Sequence, residues 1–589
     1  MKKILFYLGI VTLTFGSCSE LDQEPVSSVG PDAVFNSQSG LHLYSNSFYA
    51  ILPTASDIVK ADNISDFGAR KEVPDYFREG AFGPQQSSGW TWDRLRNINY
   101  FLENNTSGEV PEAVRNHYNG IARFFRAWFY FEKVKRFGDV PWISNTIDVK
   151  EDDILYAKRD SRVVVMDSIL NDLDYAIANI TMTNDDSRSL VTRDVAAAFK
   201  SRVALFEGTF RKYHTDYGLA DTANDLLSQA AAAADFVIAG GGFTLNTSGA
   251  TPYYDLFGST SPIKSEVVLA NIYDVELGVL HDANWFFTSS TYGNRLNLTR
   301  SFVNTYLTIE GTPFTSIANY SRTGFPEETY HRDLRLAQTV RTPGYERIVG
   351  GQVVAAPPVF SYTYTGYQPI KWVLPDSFYD TGSNNDNVIP IIRYAEVLLN
   401  YAEAKAELGA LTDQDWDMTI GALRRRAGIT NGTTTLPTVV DPYLQAEFFP
   451  NISDPVVLEV RRERGIELVF EGFRFYDLVR WAKGDLFEKT WNGFYVEALN
   501  VPMDLNDDGV NDVLFYQGTP PNQLPGVTYV DVSANIRGDV NPMQLSNGTS
   551  GEITWLENIP IVWDDKFYLY PIPENDRLMN PNLGQNPGW

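Results

Sequence analysis

Between Ala113 and Phe137 the sequence places Val114, Tyr118, Ile121, Phe125 and Trp128 at helical spacing. The central stretch 124–131 is apolar nearly all round, and Arg123, Arg126, Lys133 and Arg136 surround it. A helix with one apolar stripe can lie on a surface, but one apolar on every side must be covered on several sides. This segment therefore predicts a helix buried inside a mainly α fold. Gly138-Asp139-Val140-Pro141 supplies the turn chemistry that stops it.

The same periodicity predicts helices at Ser161–Asn179, Thr192–Thr209 and Asp221–Ala239, the last ended by Gly240-Gly241-Gly242. From about 240 to 390 the helical pattern fades and Gly, Pro, Thr and Tyr rise. Short runs such as Val267–Ile272 read there as strands or loops. A second helical block is expected from Ile391. Tyr394, Val397, Leu398, Tyr401, Ala404 and Leu408 make one stripe, and Asp415–Ala427 makes a further short helix. These two look like a degenerate tetratricopeptide pair, without a strict repeat. A helix is also expected at Pro455–Phe470. The stretch 492–550 is loop-rich, and the chain closes on an extended, proline-limited segment at 568–573.

Met1-Lys2-Lys3, the apolar run Ile4–Phe15 and the small pair Gly16-Ser17 form an export signal. The run is too short to span a bilayer, which needs ~20 apolar residues. It ends at Cys18, the one cysteine of the chain. Phe15-Gly16-Ser17-Cys18 resembles a bacterial lipobox, which implies that residues 1–17 are removed and that Cys18 is acylated. The acidic stretch 19–24 resembles the surface-export signal of Bacteroidetes lipoproteins. The expected location is the outer membrane, lipid-anchored and exposed on the cell surface, with the membrane touched only through the lipid. A net charge of −26 argues against nucleic-acid partners.

The sequence holds few patterns that carry chemistry. No GxGxxG, GxxxxGK[ST], GxSxG or HExxH pattern occurs, and His42, His117, His214, His281 and His331 have no metal-ligand spacing. Glu463 and Glu467 lie one turn apart, as a glycosidase pair could, but Arg461, Arg462 and Arg464 surround them. Basic neighbours hold carboxylates ionised, so an ion-pair ladder between packed helices is the preferred reading. The loop Asp504, Asn506, Asp508, Val510 (carbonyl) and Asp512 offers the oxygen spacing of a calcium site, with Gly509 at the sharp turn. Phe515 stands where an EF-hand has its bidentate Glu, so the expected Ca²⁺ is structural.

Aromatic residues make up 13% of the chain, and loop Trp and Tyr suit the C–H faces of sugars. Two segments qualify as ligand-binding candidates. One holds Trp90 and Trp92, of which Trp92 reads better as core because it begins a helix. The other holds Trp285, Phe287 and Tyr292, in the least periodic part of the chain, where Asp282 and Asn284 flank Trp285.

Several segments together resemble the SusD/RagB family of outer-membrane nutrient-binding lipoproteins. Besides the lipobox they are 121–128 with 137–141, 393–404, 423–428, 463–474, 477–481, 570–573 and 580–589. The resemblance implies one α-rich fold, with tetratricopeptide-like helix pairs on one side and a loop-rich ligand region with short strands on the other. It divides the mature chain into an N-terminal helical region, 18–240, and a RagB/SusD region, 241–589. The latter comprises loop-rich 241–390, helical 391–484 and loop-rich 485–589, all packed as one globular unit. It also implies a role without catalysis: capture of oligosaccharide and delivery to a SusC-like TonB-dependent transporter. The alternatives are a lipid-anchored glycoside hydrolase and a peptide-binding member of the same family.

Overall fold

The computed structural model describes residues 34–148 and 150–589. The export segment and Cys18 lie outside the described residues. Helix accounts for 42% and strand for 11%, which makes the fold mainly α. Among the described residues no helix is long and apolar enough to cross a membrane.

The first half is a succession of helices: α1 (Asp93–Asn104), α2 (Glu112–Phe137), α3 (Arg162–Asn179), α4 (Arg193–Tyr213) and α5 (Ala223–Gly240). Each of α2 to α5 packs on the next. The all-round apolar centre of α2 is enclosed as expected, with Phe124, Phe125 and Tyr130 at 0% exposure. Trp128 lies flat on Phe199 of α4, 4.1 Å between centroids, and Phe131 meets the same ring edge-on. Gly138 ends α2 at φ 74°, a conformation that a side chain would strain. Thr192 caps α4 through its hydroxyl, which accepts from the Val195 amide.

The second half alternates short elements with loops. Strand β1 (Val267–Asn271) precedes α6 (Ala283–Thr288) and pairs antiparallel with β2 (Ile389–Arg393), which runs directly into α7 (Tyr394–Glu407). The helix expected from Ile391 therefore begins three residues later. Residues 389–393 are all buried, and a short apolar run of that kind suits a central strand as well as a helix. The helix expected at Asp415–Ala427 is two, α8 (Asp413–Met418) and α9 (Ile420–Arg426). Thr419 between them turns its hydroxyl back onto the Asp415 carbonyl at 2.6 Å, a bond that bends helices. Two more helices follow, α10 (Pro455–Glu467) and α11 (Arg474–Arg480), and α7 packs against α4, α5 and α10. Beyond them come β3 (Trp491–Val496), β4 (Pro502–Met503), β5 (Val513–Tyr516), β6 (Thr528–Asp531), β7 (Met543–Leu545) and β8 (Gly551–Trp555). They form two three-stranded sheets, β7-β8-β3 and β6-β5-β4. One cluster of buried apolar side chains runs from Phe35 to Leu583.

The arginine–glutamate alternation of α10 is buried and bonded mostly across elements, with Arg462–Glu459 at 3.2 Å the pair that runs along the helix among the described residues. Glu467 meets Arg393 at 2.6 Å, Arg426 at 2.5 Å and Arg335 at 2.8 Å. Glu463 meets Arg335 at 2.6 Å and Arg424 at 3.1 Å. Glu266, just before β1, binds both Arg393 and Arg426, while Arg393 also reaches Glu471 at 2.7 Å. Withdrawing such charges from water costs several kcal/mol per ion, so each must be satisfied by several partners.

Burial alone would raise the Glu467 carboxyl, but Arg426, Arg393 and Arg335 hold it well below the usual range. Its contribution to stability is complete above the ordinary value of 4.5 and drains away as pH falls below it. Replacing Glu467→Gln should cost about 3–5 kcal/mol near neutral pH by leaving guanidiniums short of a counter-charge. In urea unfolding, the gap between wild type and variant should narrow below pH about 4.5. A gap independent of pH would show that the carboxylate is not the charged partner.

Candidate functional site

Helix α6 is held by buried amides. The side chain of Asn284 donates to the Leu374 carbonyl at 2.8 Å and accepts from the Leu374 amide at 2.7 Å. Asn385 donates to the same Asn284 oxygen at 2.7 Å and accepts from the Asn284 backbone amide at 3.0 Å. With both ends of a side chain fixed inside the protein, the helix has little freedom to roll. Its inward face carries Phe286 and Phe287, each 2% exposed, with Phe287 edge-on to Phe470. Its outward residue is Trp285, half-buried.

Tyr292 lies flat on Trp285, 3.7 Å between centroids and 16° between planes. The chain reaches this position through Gly293, at φ 73°, where a Cβ would stand 2.4 Å from the Phe286 carbonyl oxygen. The Tyr292 hydroxyl donates to Asp282. Lys60 donates to Asp282 at 2.7 Å and to the Tyr292 hydroxyl at 3.3 Å, with its ammonium 5.5 Å from the Phe286 and Tyr292 rings. Burial would raise the Asp282 carboxyl, but hydrogen bonds from Lys60 and Tyr292 outweigh it and hold it below the usual range. The result is a rigid platform of two stacked rings edged by an ionised pair. Stacked rings with polar groups at the rim can take the C–H face of a ring and its hydroxyls together.

Of the expected binding residues, Trp285 and Tyr292 come together, although on a short helix and its following turn rather than on a plain loop. Phe287 is corrected: it is core, because three residues of α6 in succession cannot all face outward. Trp90 is corrected likewise, at 9% exposure and wedged edge-on between Trp92 and Phe137. Trp92 precedes α1 and is half-buried against Phe129 and Tyr130. It lines a groove of about 280 Å³ with Arg96, Asn99 and Asn145. No aromatic contact joins the Trp90–Trp92 pair to the Trp285 platform among the described residues. Lys60 and Asp282 escaped sequence reasoning as partners because 222 positions separate them.

The Asp504–Asp512 loop joins β4 to β5 and folds on its own backbone. Asp504 accepts from the amides of Asn506 and Gly509 at 3.2 and 2.7 Å, Asp508 from Val510 at 2.8 Å and Asp512 from Leu505 at 2.7 Å. Asn506 donates to Asp508 at 3.0 Å, while its own carbonyl oxygen is buried without a partner. Among the described residues no group of three or more His, Cys, Asp or Glu side chains has a metal-holding arrangement.

Residues 265–589 match the SusD family, and residues 74–198 match a family described as starch-binding and associating with the outer membrane. The first match covers more than half of the chain, so this protein belongs to the SusD family. It is 26% identical to SusD-like protein P2 of Formosa agariphila over 82% of its own length and 92% of the relative's. It is 22% identical to a SusD-like protein of Bacteroides ovatus over 100% of its length and 98% of the relative's. Two solved structures from Bacteroides fragilis share the fold. One is a SusD-like protein with TM-score 0.68, 20% identity and coverage of 96% of this chain and 100% of that one. The other is a SusD-like carbohydrate-binding protein with TM-score 0.67, 19% identity and coverage of 93% and 99%.

Adding one methyl at the turn tests the platform's construction. Gly293→Ala should displace Tyr292 from Trp285, because the new Cβ meets the Phe286 oxygen and the positive φ becomes strained. Tryptophan fluorescence should shift, and the protein should lose at least about 1 kcal/mol of stability. An unchanged spectrum and melting temperature would show that the turn does not hold the stack.

Proposed function

We propose that this chain is a binding protein for oligosaccharides at the outer membrane, anchored through acylated Cys18 and exposed at the cell surface. In this reading it passes its ligand to a SusC-like TonB-dependent transporter. The observation that carries the binding role is the Trp285–Tyr292 platform, fixed by buried amides and presented toward solvent. Membership of the SusD family supports the same role, as does a fold shared with a relative described as carbohydrate-binding.

A hydrolase reading finds less support. A glycosidase needs a general acid whose pKa is raised where substrate can reach it. At the platform the carboxylate is Asp282, which Lys60 and Tyr292 keep ionised. Carboxyls pushed upward by burial are found elsewhere: Asp62, raised to about 7, and Glu328 are sealed in the interior, while the partly buried Asp194, Asp512 and Asp576 belong to other parts of the chain and bond to neither platform ring.

Calorimetry on a panel of oligosaccharides and peptides tests the reading. Trp285→Ala should weaken oligosaccharide binding by about 1–3 kcal/mol, roughly tenfold to a hundredfold, with the melting temperature nearly unchanged. Loss of stability at unaltered affinity would identify Trp285 as core, and release of new reducing ends at a catalytic rate would establish the hydrolase instead.

Calcium in the Asp504–Asp512 loop is a second element of the proposal. Three acidic side chains closely spaced in sequence repel one another unless a cation neutralises them, and the unpartnered Asn506 oxygen is a ligand to spare. Chelator should lower the melting temperature of the wild type but not of Asp508→Ala. A wild type indifferent to calcium would retire the site.

A further inference from the structure

Beside the platform a second stacked pair stands next to two unpaired arginines. A two-residue ribbon joins Gly68–Ala69 to Asn297–Leu298, and the Lys71 amide extends it by donating to the Asn294 carbonyl at 2.8 Å. Arg70 and Arg295 thus come to one edge, close to the turn that carries Tyr292. Arg295 donates to the Ser290 carbonyl at 2.6 and 3.2 Å, and Arg70 donates to the Asn63 carbonyl at 3.0 Å. The Nε of Arg70 is buried without a partner. Half-buried Trp555 stacks on Tyr364, 3.8 Å between centroids and 16° between planes, and its indole donates to the Arg70 carbonyl at 2.8 Å. The Arg295 guanidinium lies 5.4 Å from the Tyr364 ring.

The cations of this edge outnumber the carboxylates that face them. Its nearby carboxylates already have cations: Glu72 has Lys71 at 3.8 Å, Asp75 has Arg78, and Asp282 has Lys60 at 2.7 Å. Neither Arg70 nor Arg295 has a carboxylate within ion-pair distance among the described residues. The edge thus carries two uncompensated positive charges on a protein of net charge −26. Other guanidiniums also lack carboxylates, among them buried Arg332 and Arg341, but those are spent on backbone carbonyls inside the protein; Arg70 and Arg295 are only partly buried and share one edge with a stacked indole. A guanidinium binds carboxylate or sulfate through paired N–H donors, and an indole beside it can take the C–H face of the sugar bearing that group.

We infer that Arg70, Arg295 and Trp555, backed by Tyr364, form a second subsite that recognises an acidic sugar. The preferred ligand is then an anionic glycan, carboxylated or sulfated, lying across both aromatic pairs. This rests on the glycan reading of the Trp285–Tyr292 platform.

Calorimetry of the mature protein with three probes tests it: an oligogalacturonate, a κ-carrageenan oligosaccharide and a neutral agaro-oligosaccharide. At least one acidic probe should bind on the order of tenfold more tightly than the neutral one, and the advantage should shrink as sodium chloride is raised. The stronger acidic probe identifies carboxylate or sulfate as the group recognised. Arg295→Gln should remove on the order of tenfold of that affinity at an unchanged melting temperature. Because Arg70 is partly enclosed and its variant could unfold, the salt dependence of the wild type serves as the independent measurement. Equal or tighter binding of the neutral probe, or acidic binding insensitive to salt and to Arg295→Gln, overturns the subsite while leaving the glycan reading in place. Failure of all three probes to bind overturns the acidic-sugar subsite, and binding of peptides but of no oligosaccharide in the wider panel overturns the glycan reading as well.

Discussion

The buried ion-pair assembly around α10 is the constraint from which the rest of the molecule follows. Glu463 and Glu467 meet four guanidiniums from three different parts of the chain, Arg335, Arg393, and Arg424 with Arg426 on α9. Apolar contacts tolerate sliding, whereas a charge withdrawn from water tolerates only the arrangement that satisfies it. The assembly therefore fixes how the helical block sits against β2 and the loop-rich region, whatever its net contribution to stability.

The proposed binding surface hangs from the turn that follows this helix. The Phe470 carbonyl accepts from the Trp372 indole at 2.8 Å, and two residues further on Leu374 is clamped by Asn284, which orients α6 and Trp285. The Gly472 amide donates to Asp62 at 3.1 Å and Arg474 binds Asp66 at 2.7 Å, which positions the segment carrying Lys60 and Arg70. Both sides of the aromatic surface are thus tied to residues 470–474. The proposed ligand contacts are carried on short elements, but these are braced by the buried ion-pair assembly, as a site that must hold two rings in register requires.

The surface has the character of a binder. Its one carboxylate at the platform is kept ionised by a lysine and a tyrosine, an arrangement suited to accepting hydroxyl protons in hydrogen bonds rather than to donating a proton to a leaving group. The aromatic rings present faces that need no chemistry to be useful. Such a site fits the SusD family to which the chain belongs.

Local pattern determined much of this. The all-round apolar centre of α2, the cap at Thr192, the stop at Gly138 and the arginine–glutamate alternation of α10 are consequences of neighbouring residues, and α2 to α5 appear close to where the sequence places them. The family was likewise legible in ordered segments along the whole chain. Where a short run was apolar throughout, as at 389–393, period alone could not separate strand from helix. Which aromatic shows its face to solvent was decided only by tertiary structure. Trp285 and Phe287 are two residues apart and similar in character, yet one is a platform and the other is core, because Phe470 covers one and Tyr292 turns back over the other. Trp555 reaches Tyr364 and Arg70 across most of the sequence. Exposure is a property of what packs on a residue, and those partners come from positions that no local pattern connects.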